Sequence, residues 1–188
     1  MLAIYKREFK SYFYSMTGSI FIAFLTFMTG IYFMAYNLHS GYPYFSYSLE
    51  GVMFVFLVAI PVLTMRSFSE ERRSRTDQLL LTSPVSVGKM VIGKYLAMVS
   101  VFLIPCMLFC AYPLIISTQG KAYFKADYAS ILVFFLLGCV YIAIGSFISA
   151  MTESQIIAAI GTFGVLMVVY LWDGLLGFLP SSAFGGMA

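Results

Sequence analysis

Residues 66–94 read RSFSEERRSRTDQLLLTSPVSVGKMVIGK and separate two apolar stretches that are each long enough to cross a lipid bilayer. The whole chain has only 11 Lys and Arg and 8 Asp and Glu. A multi-span membrane protein that gathers its charge in one internal segment presents that segment to a partner in the water. We call residues 66–94 the charged loop, and its nine charged side chains are Arg66, Glu70, Glu71, Arg72, Arg73, Arg75, Asp77, Lys89 and Lys94.

The composition of the chain is that of a membrane protein. Of its 188 residues, 61% are hydrophobic and 10% are charged, whereas a soluble domain has about 25% charged residues. The mean hydropathy is +0.92. A single soluble core cannot hide this much apolar surface, so the bilayer must be its solvent. The net charge of +3 is small and gives no sign of a nucleic-acid partner.

The apolar stretches predict one all-α integral membrane domain over residues 1–188 with five transmembrane helices. Each stretch falls near the ~20 residues that a helix needs to cross the hydrocarbon core. The predicted spans are Ser19–Tyr36, Leu49–Met65, Tyr95–Ser117, Tyr128–Met151 and Gln155–Leu176.

Residues 1–15 have the pattern of an amphipathic helix that lies on the membrane surface. Leu2, Tyr5 and Phe9 recur at helical spacing and continue into Tyr12 and Phe13. The basic residues lie mostly off this stripe, as in helices that bind lipid headgroups. An ordinary juxtamembrane tail is the alternative. The basic residues are Lys6, Arg7 and Lys10.

The distribution of Lys and Arg predicts the orientation of the chain. The N-terminal segment and the charged loop hold nine of these residues, whereas the loops on the opposite side hold only Lys121 and Lys125. Because Lys and Arg accumulate in cytoplasmic loops, we expect the N-terminus and the charged loop to face the cytoplasm. Residues 37–48 and 118–127 are then expected to face outward.

The charged loop contains the signals of a short helix. Ser67 stands three residues before Glu70, which is the spacing of a capping box. Glu70 and Glu71 would occupy the first turn, where the helix dipole favours acids, and arginines follow. Pro84 would end this helix, which we predict over Ser69–Thr82. A second helix follows and leads into the third span.

The chain lacks a phosphate-binding loop of its own. Gly88 and Gly93 have the required glycine spacing and Lys94 follows them. Tyr95, however, stands where the Ser or Thr hydroxyl must bind magnesium. We therefore expect no nucleotide site on this chain.

Few side chains in the predicted spans are able to carry chemistry. His39, Glu50 and Asp173 lie in outer loops or near outer ends of spans, where solvation or a structural role is favoured over substrate binding. The predicted spans contain no acid pair, catalytic triad or metal cluster, so an intramembrane enzyme is disfavoured. Cys106, Cys110 and Cys139 fall in apolar runs and are expected to be small packed thiols.

Two further patterns concern helix packing. Gly138, Gly145 and Ser149 form a small face on the fourth span, which allows another helix to approach closely. Pro105 and Pro113 are expected to bend the third span.

The run SEERRSRTDQLLLTSPVSVGKMVIGKYLA, residues 69–97, closely resembles the signature of bacterial ABC-2-type transporter permeases. The subfamily that it is most similar to is the permease of gliding-motility-type ABC transporters. The match lies between spans two and three, as it does in that family. The residues that match in order are Glu70, Glu71, Arg72, Thr76, Leu79, Leu80, Leu81, Ser83, Pro84, Gly93 and Lys94.

This resemblance implies a permease in the bacterial plasma membrane that forms a homodimer or a related heterodimer. Two separate ATP-binding subunits, which carry ATP and magnesium, would dock below it, and Thr152–Gln155 would form a second, minor contact. Family members have six spans, and the sixth is missing from these 188 residues. The resemblance assigns ATPase coupling to Glu70, Glu71, Arg72, Arg73, Thr76, Leu79, Leu80, Leu81, Ser83 and Pro84.

The sequence therefore predicts an exporter permease that passes motion from a partner ATPase to its spans. The competing hypothesis is a membrane scaffold or sensor whose basic loop binds anionic lipid. An ATPase gene next to this one would favour the permease.

Overall fold

The computed structural model describes residues 2–73, 87–119 and 123–178, and within these ranges the chain is helical with short connections. A π-helical segment, Met34–His39, prolongs the second helix. The helices are α1 (Leu2–Tyr14), α2 (Thr17–Phe33), α3 (Ser46–Arg73), α4 (Val87–Phe109), α5 (Tyr112–Gln119), α6 (Phe124–Met151) and α7 (Gln155–Phe178).

Five stretches of the described chain are long and apolar enough to cross a bilayer. They belong to α2, α3, α4 with α5, α6 and α7. The prediction of an all-helical membrane protein with five spans is thereby confirmed. The stretches are Thr17–His39, Ser46–Ser67, Gly88–Thr118, Phe124–Met151 and Gln155–Trp172.

Helix α3 does not stop where the sequence predicts its end. It continues from the second span into the charged loop and ends at Arg73. The predicted capping box is therefore wrong, because Ser67 and Glu70 lie inside α3 rather than at the start of a new helix. No Gly or Pro stands between Pro61 and Arg73 to break the helix. The remaining coupling residues, Thr76, Leu79, Leu80, Leu81, Ser83 and Pro84, lie outside the described residues.

The third span is interrupted next to Pro113, whereas the bend predicted at Pro105 stays a prediction. Helix α4 ends at Phe109 and α5 begins at Tyr112, so that Pro113 is the second residue of α5. A proline in the first turn of a helix lacks only an N–H that would have no partner there, whereas inside a longer helix its ring would clash with the preceding turn. Pro105 lies within α4.

Helix α3 is the centre of the bundle and packs against α2, α6 and α7. The core around it is aromatic. Phe56 of α3 lies 5.1 Å from Phe102 of α4 and 4.7 Å from Phe134 of α6, measured between ring centroids. Phe56 and Phe102 are fully buried.

The predicted small face of α6 is confirmed and lies against α3 and α4. A Cβ atom at Gly138 would fall 2.9 Å from Phe56 Cζ and would also collide with the ring of Phe102. A Cβ atom at Gly145 would lie 2.9 Å from the Cβ of Thr64. The absence of side chains at these two positions is what allows α6 to approach α3 so closely.

Candidate coupling site

The described parts of the charged loop are the end of α3 and the start of α4. A helix of 28 residues is about 42 Å long, which exceeds the ~30 Å hydrocarbon core of a bilayer. The end of α3 therefore projects beyond the apolar part of the span, which closes at Ser67. The last turn is formed by Glu70, Glu71, Arg72 and Arg73. We call this end of the bundle the loop end, and the other the far end.

A lysine from α4 is buried against α3 at the loop end. The Nζ atom of Lys94 donates a hydrogen bond to the carbonyl oxygen of Ser67 at 2.7 Å. Lys94 is only 2% exposed. Burial of an ammonium group is costly unless it is hydrogen-bonded, so this contact ties the start of α4 to the end of the second span.

Helix α6 is joined to α3 at the same level. The hydroxyl of Ser149 donates to the carbonyl of Met65 at 3.2 Å, and the backbone N–H of Ser69 donates to the Ser149 hydroxyl at 3.4 Å. The Ser69 hydroxyl also donates to the Met65 carbonyl. We call Met65, Ser67, Ser69, Lys94 and Ser149 the loop-end clasp, since they bind three helices together.

Helix α1 lies along α4 near the clasp. The hydroxyl of Tyr5 donates to Ser100 Oγ at 2.9 Å, and Ile4 lies 3.3 Å from the place of a Cβ on Gly93. Tyr12 is buried and Phe9 packs against the core. Much of the apolar stripe of α1 therefore packs against the other helices of the bundle.

The basic residues of α1 face away from the bundle. Lys6, Arg7 and Lys10 are exposed, and Arg7 forms an ion pair of 2.8 Å with Glu8. The prediction that α1 lies on the membrane surface stays a prediction, and its exposed basic face is compatible with headgroup binding.

The turn between α6 and α7 is also at the loop end. It follows Ser149 by only three residues and contains Thr152, Glu153 and Ser154, of which Glu153 is exposed. The carbonyl of Ser154 accepts the N–H of Ala158 at 3.0 Å and so starts α7. The structure thus brings the predicted second contact segment, Thr152–Gln155, to the same end as the charged loop.

The far end has a polar cluster that the sequence did not reveal. Asn37 donates from Nδ2 to the carbonyls of Tyr42 and Tyr44, at 2.8 and 3.0 Å. Ser48 Oγ donates to Asn37 Oδ1 at 2.6 Å. These bonds fold the connection between α2 and α3.

Asp127 fastens α6 to α3 at the far end. Its Oδ1 atom accepts the backbone N–H of Phe45, the residue before α3, at 2.8 Å. Its side chain is 0% exposed. A carboxylate at a helix N-terminus is favoured by the helix dipole and by the unpaired N–H groups there. Asp127 falls in the predicted outer loop, but α6 begins at Phe124 and carries it into the bundle.

The other polar candidates at the far end face outward. His39 and Glu50 are exposed, and the side chain of Asp173 lies outside the described part. Glu50 lines an open groove of about 280 Å³ between α3 and α6, whose other walls are mainly apolar.

The comparison with protein families identified the family of this chain. The family described as ABC-2 family transporter protein matches residues 33–188. The chain belongs to the ABC-2 transporter family. Comparisons with curated proteins and with solved structures gave no match.

Membership in the ABC-2 transporter family fits the helices described above. The match includes α3, the charged loop, α4 and the clasp, and it begins after α1 and most of α2. This ABC-2 transporter chain is a multi-pass membrane protein with five apolar helices. Proteins of the family normally work with a separate ATP-binding subunit.

The stretch of this ABC-2 transporter that resembles a phosphate-binding loop has another structure. Gly88, Gly93 and Lys94 all lie within α4, and Lys94 points into the bundle toward Ser67. A phosphate-binding loop requires a turn whose backbone N–H groups surround the phosphates. From the second turn of α4 onward, the backbone N–H groups bond to carbonyls of the same helix, so those of Gly93 and Lys94 cannot surround a phosphate.

Proposed function

We propose that this chain is the membrane-spanning permease subunit of an ATP-driven exporter in the bacterial plasma membrane. Its charged loop binds a separate ATPase subunit in the cytoplasm. The observation that carries the proposal is the continuity of α3, which runs from the far end through the membrane to Arg73. In a chain of the ABC-2 family, this helix gives Glu70–Arg73 a direct mechanical connection to the span.

The position of α1 supports a cytoplasmic loop end. Because Ile4 lies against Gly93 at the start of α4, the basic residues of α1 are at the same end of the bundle as the charged loop. Lys125, by contrast, is exposed in the first turn of α6 at the far end. Concentration of Lys and Arg at one end is the pattern of a cytoplasmic face.

The proposed cycle draws its energy from the partner. ATP and Mg²⁺ bind to the ATPase subunits, and their closure pushes the charged loop. Helix α3 relays this motion, and substrate leaves through a pathway formed with a second permease copy. Lys6, Arg7 and Lys10 of α1 face the ATPase and the anionic headgroups of the inner leaflet.

Co-purification of the ATPase subunit tests this proposal. We expect the double variant Glu71→Ala/Arg72→Ala to retain about one tenth or less of the ATPase that the wild-type chain binds in mild detergent. Truncating a buried interfacial charge pair costs about 2–5 kcal/mol. The matched control is Glu50→Ala/Lys125→Ala, which removes one acid and one base that are exposed at the far end. This control should bind the ATPase like wild type.

Two outcomes would contradict the proposal. Equal ATPase binding by both double variants would show that Glu71 and Arg72 are not coupling residues. If no ATPase is bound by the wild-type chain, and anionic lipid is lost in the loop variant only, the protein is a lipid-binding scaffold rather than a permease.

A further inference from the structure

We infer that Lys94 is a positioning residue, an inference that rests on the proposed function. It holds the start of α4 against α3, so that movement at the loop end is passed on to α3. Its side chain lies between α3, which precedes the connecting segment 74–86, and α4, which follows it. The contact to Ser67 makes the start of α4 and the end of the second span move as one unit.

The direction of the Lys94 side chain sets it apart from an ordinary lysine at a membrane boundary. Such a lysine extends its chain toward water and headgroups. Lys89, five residues nearer the start of α4, is exposed in this way. Lys94 instead points into the bundle and bonds to a carbonyl, as lysines within membrane helices do when they have an internal partner.

Helices α3 and α6 form a rigid pair on one side of this contact. Ser149 bonds α6 to Met65 at the loop end, and Asp127 bonds α6 to Phe45 at the far end. Between these points, Gly145 lets Thr64 pack directly against the backbone of α6. A force on the end of α3 therefore tilts the pair rather than separating its members.

Helices α1 and α4 form a second pair, held by the bond between Tyr5 and Ser100. Lys94 joins this pair to α3, and Tyr95 joins it to α6 through a bond from its hydroxyl to the Cys139 carbonyl at 3.1 Å. A push on the connecting segment reaches both α3 and α4. Lys94 prevents the end of α3 and the start of α4 from separating. The push therefore moves the α3–α6 pair instead of only opening a gap between α3 and α4.

The test measures whether nucleotide binding to the ATPase changes hydrogen exchange at the far end of α3. The full chain is reconstituted with its ATPase subunit in lipid nanodiscs, and hydrogen exchange is followed in peptides that cover residues 42–53 at the far end of α3. In wild type, ATP with vanadate should change this exchange. Lys94→Met should reduce the change at least twofold while the ATPase stays bound and hydrolyses ATP at the wild-type rate. Lys94→Arg, which keeps a donor, should restore the change.

Lys89→Met is the matched control, because it removes the same charge from an exposed position of the same helix. It should respond like wild type. If Lys94→Met responds like wild type, the inference is overturned. If Lys94→Met does not assemble, Lys94→Ala, which also has no donor, takes its place, and a full response in that variant overturns the inference. If the wild-type chain binds no ATPase, the proposed function itself fails, which the binding assay alone reveals.

Discussion

Replacing Gly145 by alanine should destabilise the bundle by about 1–3 kcal/mol, as expected when a methyl group is forced into a packed core. The new Cβ would lie 2.9 Å from the Cβ of Thr64, an atom that moves only with the backbone of α3. Thr64 is fully buried and its hydroxyl is bonded to the carbonyl of Ile60 at 3.0 Å. Thermal unfolding of the purified protein in detergent measures the loss as a lower midpoint.

Gly164→Ala is the control for this variant. A Cβ at Gly164 meets no described atom within 4 Å, so its midpoint should stay near that of wild type. Adding Thr64→Ala to Gly145→Ala should recover part of the loss, because it removes two of the colliding atoms. Equal midpoints for Gly145→Ala and Gly164→Ala would show that α3 and α6 do not approach each other as described.

Replacing Asp127 by alanine should also lower stability by about 1–3 kcal/mol, because the buried N–H of Phe45 would lose its acceptor. Asp127→Asn keeps an acceptor oxygen and should retain most of the stability. Thermal unfolding in detergent again gives the ranking. Glu50→Ala, an exposed acid at the same end, should have little effect.

Two results for the unfolding midpoints of the Asp127 variants would contradict this prediction. If the asparagine variant is as unstable as the alanine variant, the hydrogen bond to Phe45 is not what the side chain contributes. A wild-type midpoint for Asp127→Ala would show that α6 is not fastened to α3 at this position.

The membrane spans were predictable because hydrophobic length depends on the sequence alone. The small face of α6 and the helix break before Pro113 were also predictable, since Gly and Pro act through their own backbones. The coupling residues were named through the resemblance of the charged loop to ABC-2 permeases. The family match supports that resemblance at the level of the family.

Contacts between distant helices were not predictable in the same way. The apolar stripe of α1 has the pattern of a membrane-surface helix, and that pattern did not reveal that Phe9 and Tyr12 pack against the bundle. Periodicity identifies an apolar face but does not tell lipid from protein, because the two are similarly apolar. Lys94 points inward because the carbonyl of Ser67 lies within its reach in the folded bundle. Asp127 is buried where the backbone N–H of Phe45 meets it, and neither position can be read from the sequence.

The end of α3 was wrongly predicted for a local reason. Ser67 and Glu70 have the spacing of a capping box, but a capping box forms only if the chain before it leaves the helical conformation. The preceding residues, which include Thr64 and Met65, stay helical because they belong to a span whose backbone must satisfy its own hydrogen bonds in lipid. Ser67 and Glu70 are therefore enclosed within α3.

The most direct test of the coupling proposal is site-specific photo-crosslinking from the charged loop. Benzoylphenylalanine is placed at Leu80 in the loop and, as a control, at Lys125 on the far end, and the captured protein is identified by mass spectrometry from the organism's own membranes. We expect the probe at Leu80 to capture an ATP-binding subunit and the probe at Lys125 not to capture one. Capture of lipid alone from Leu80, or capture of the ATP-binding subunit from Lys125 instead, would contradict it.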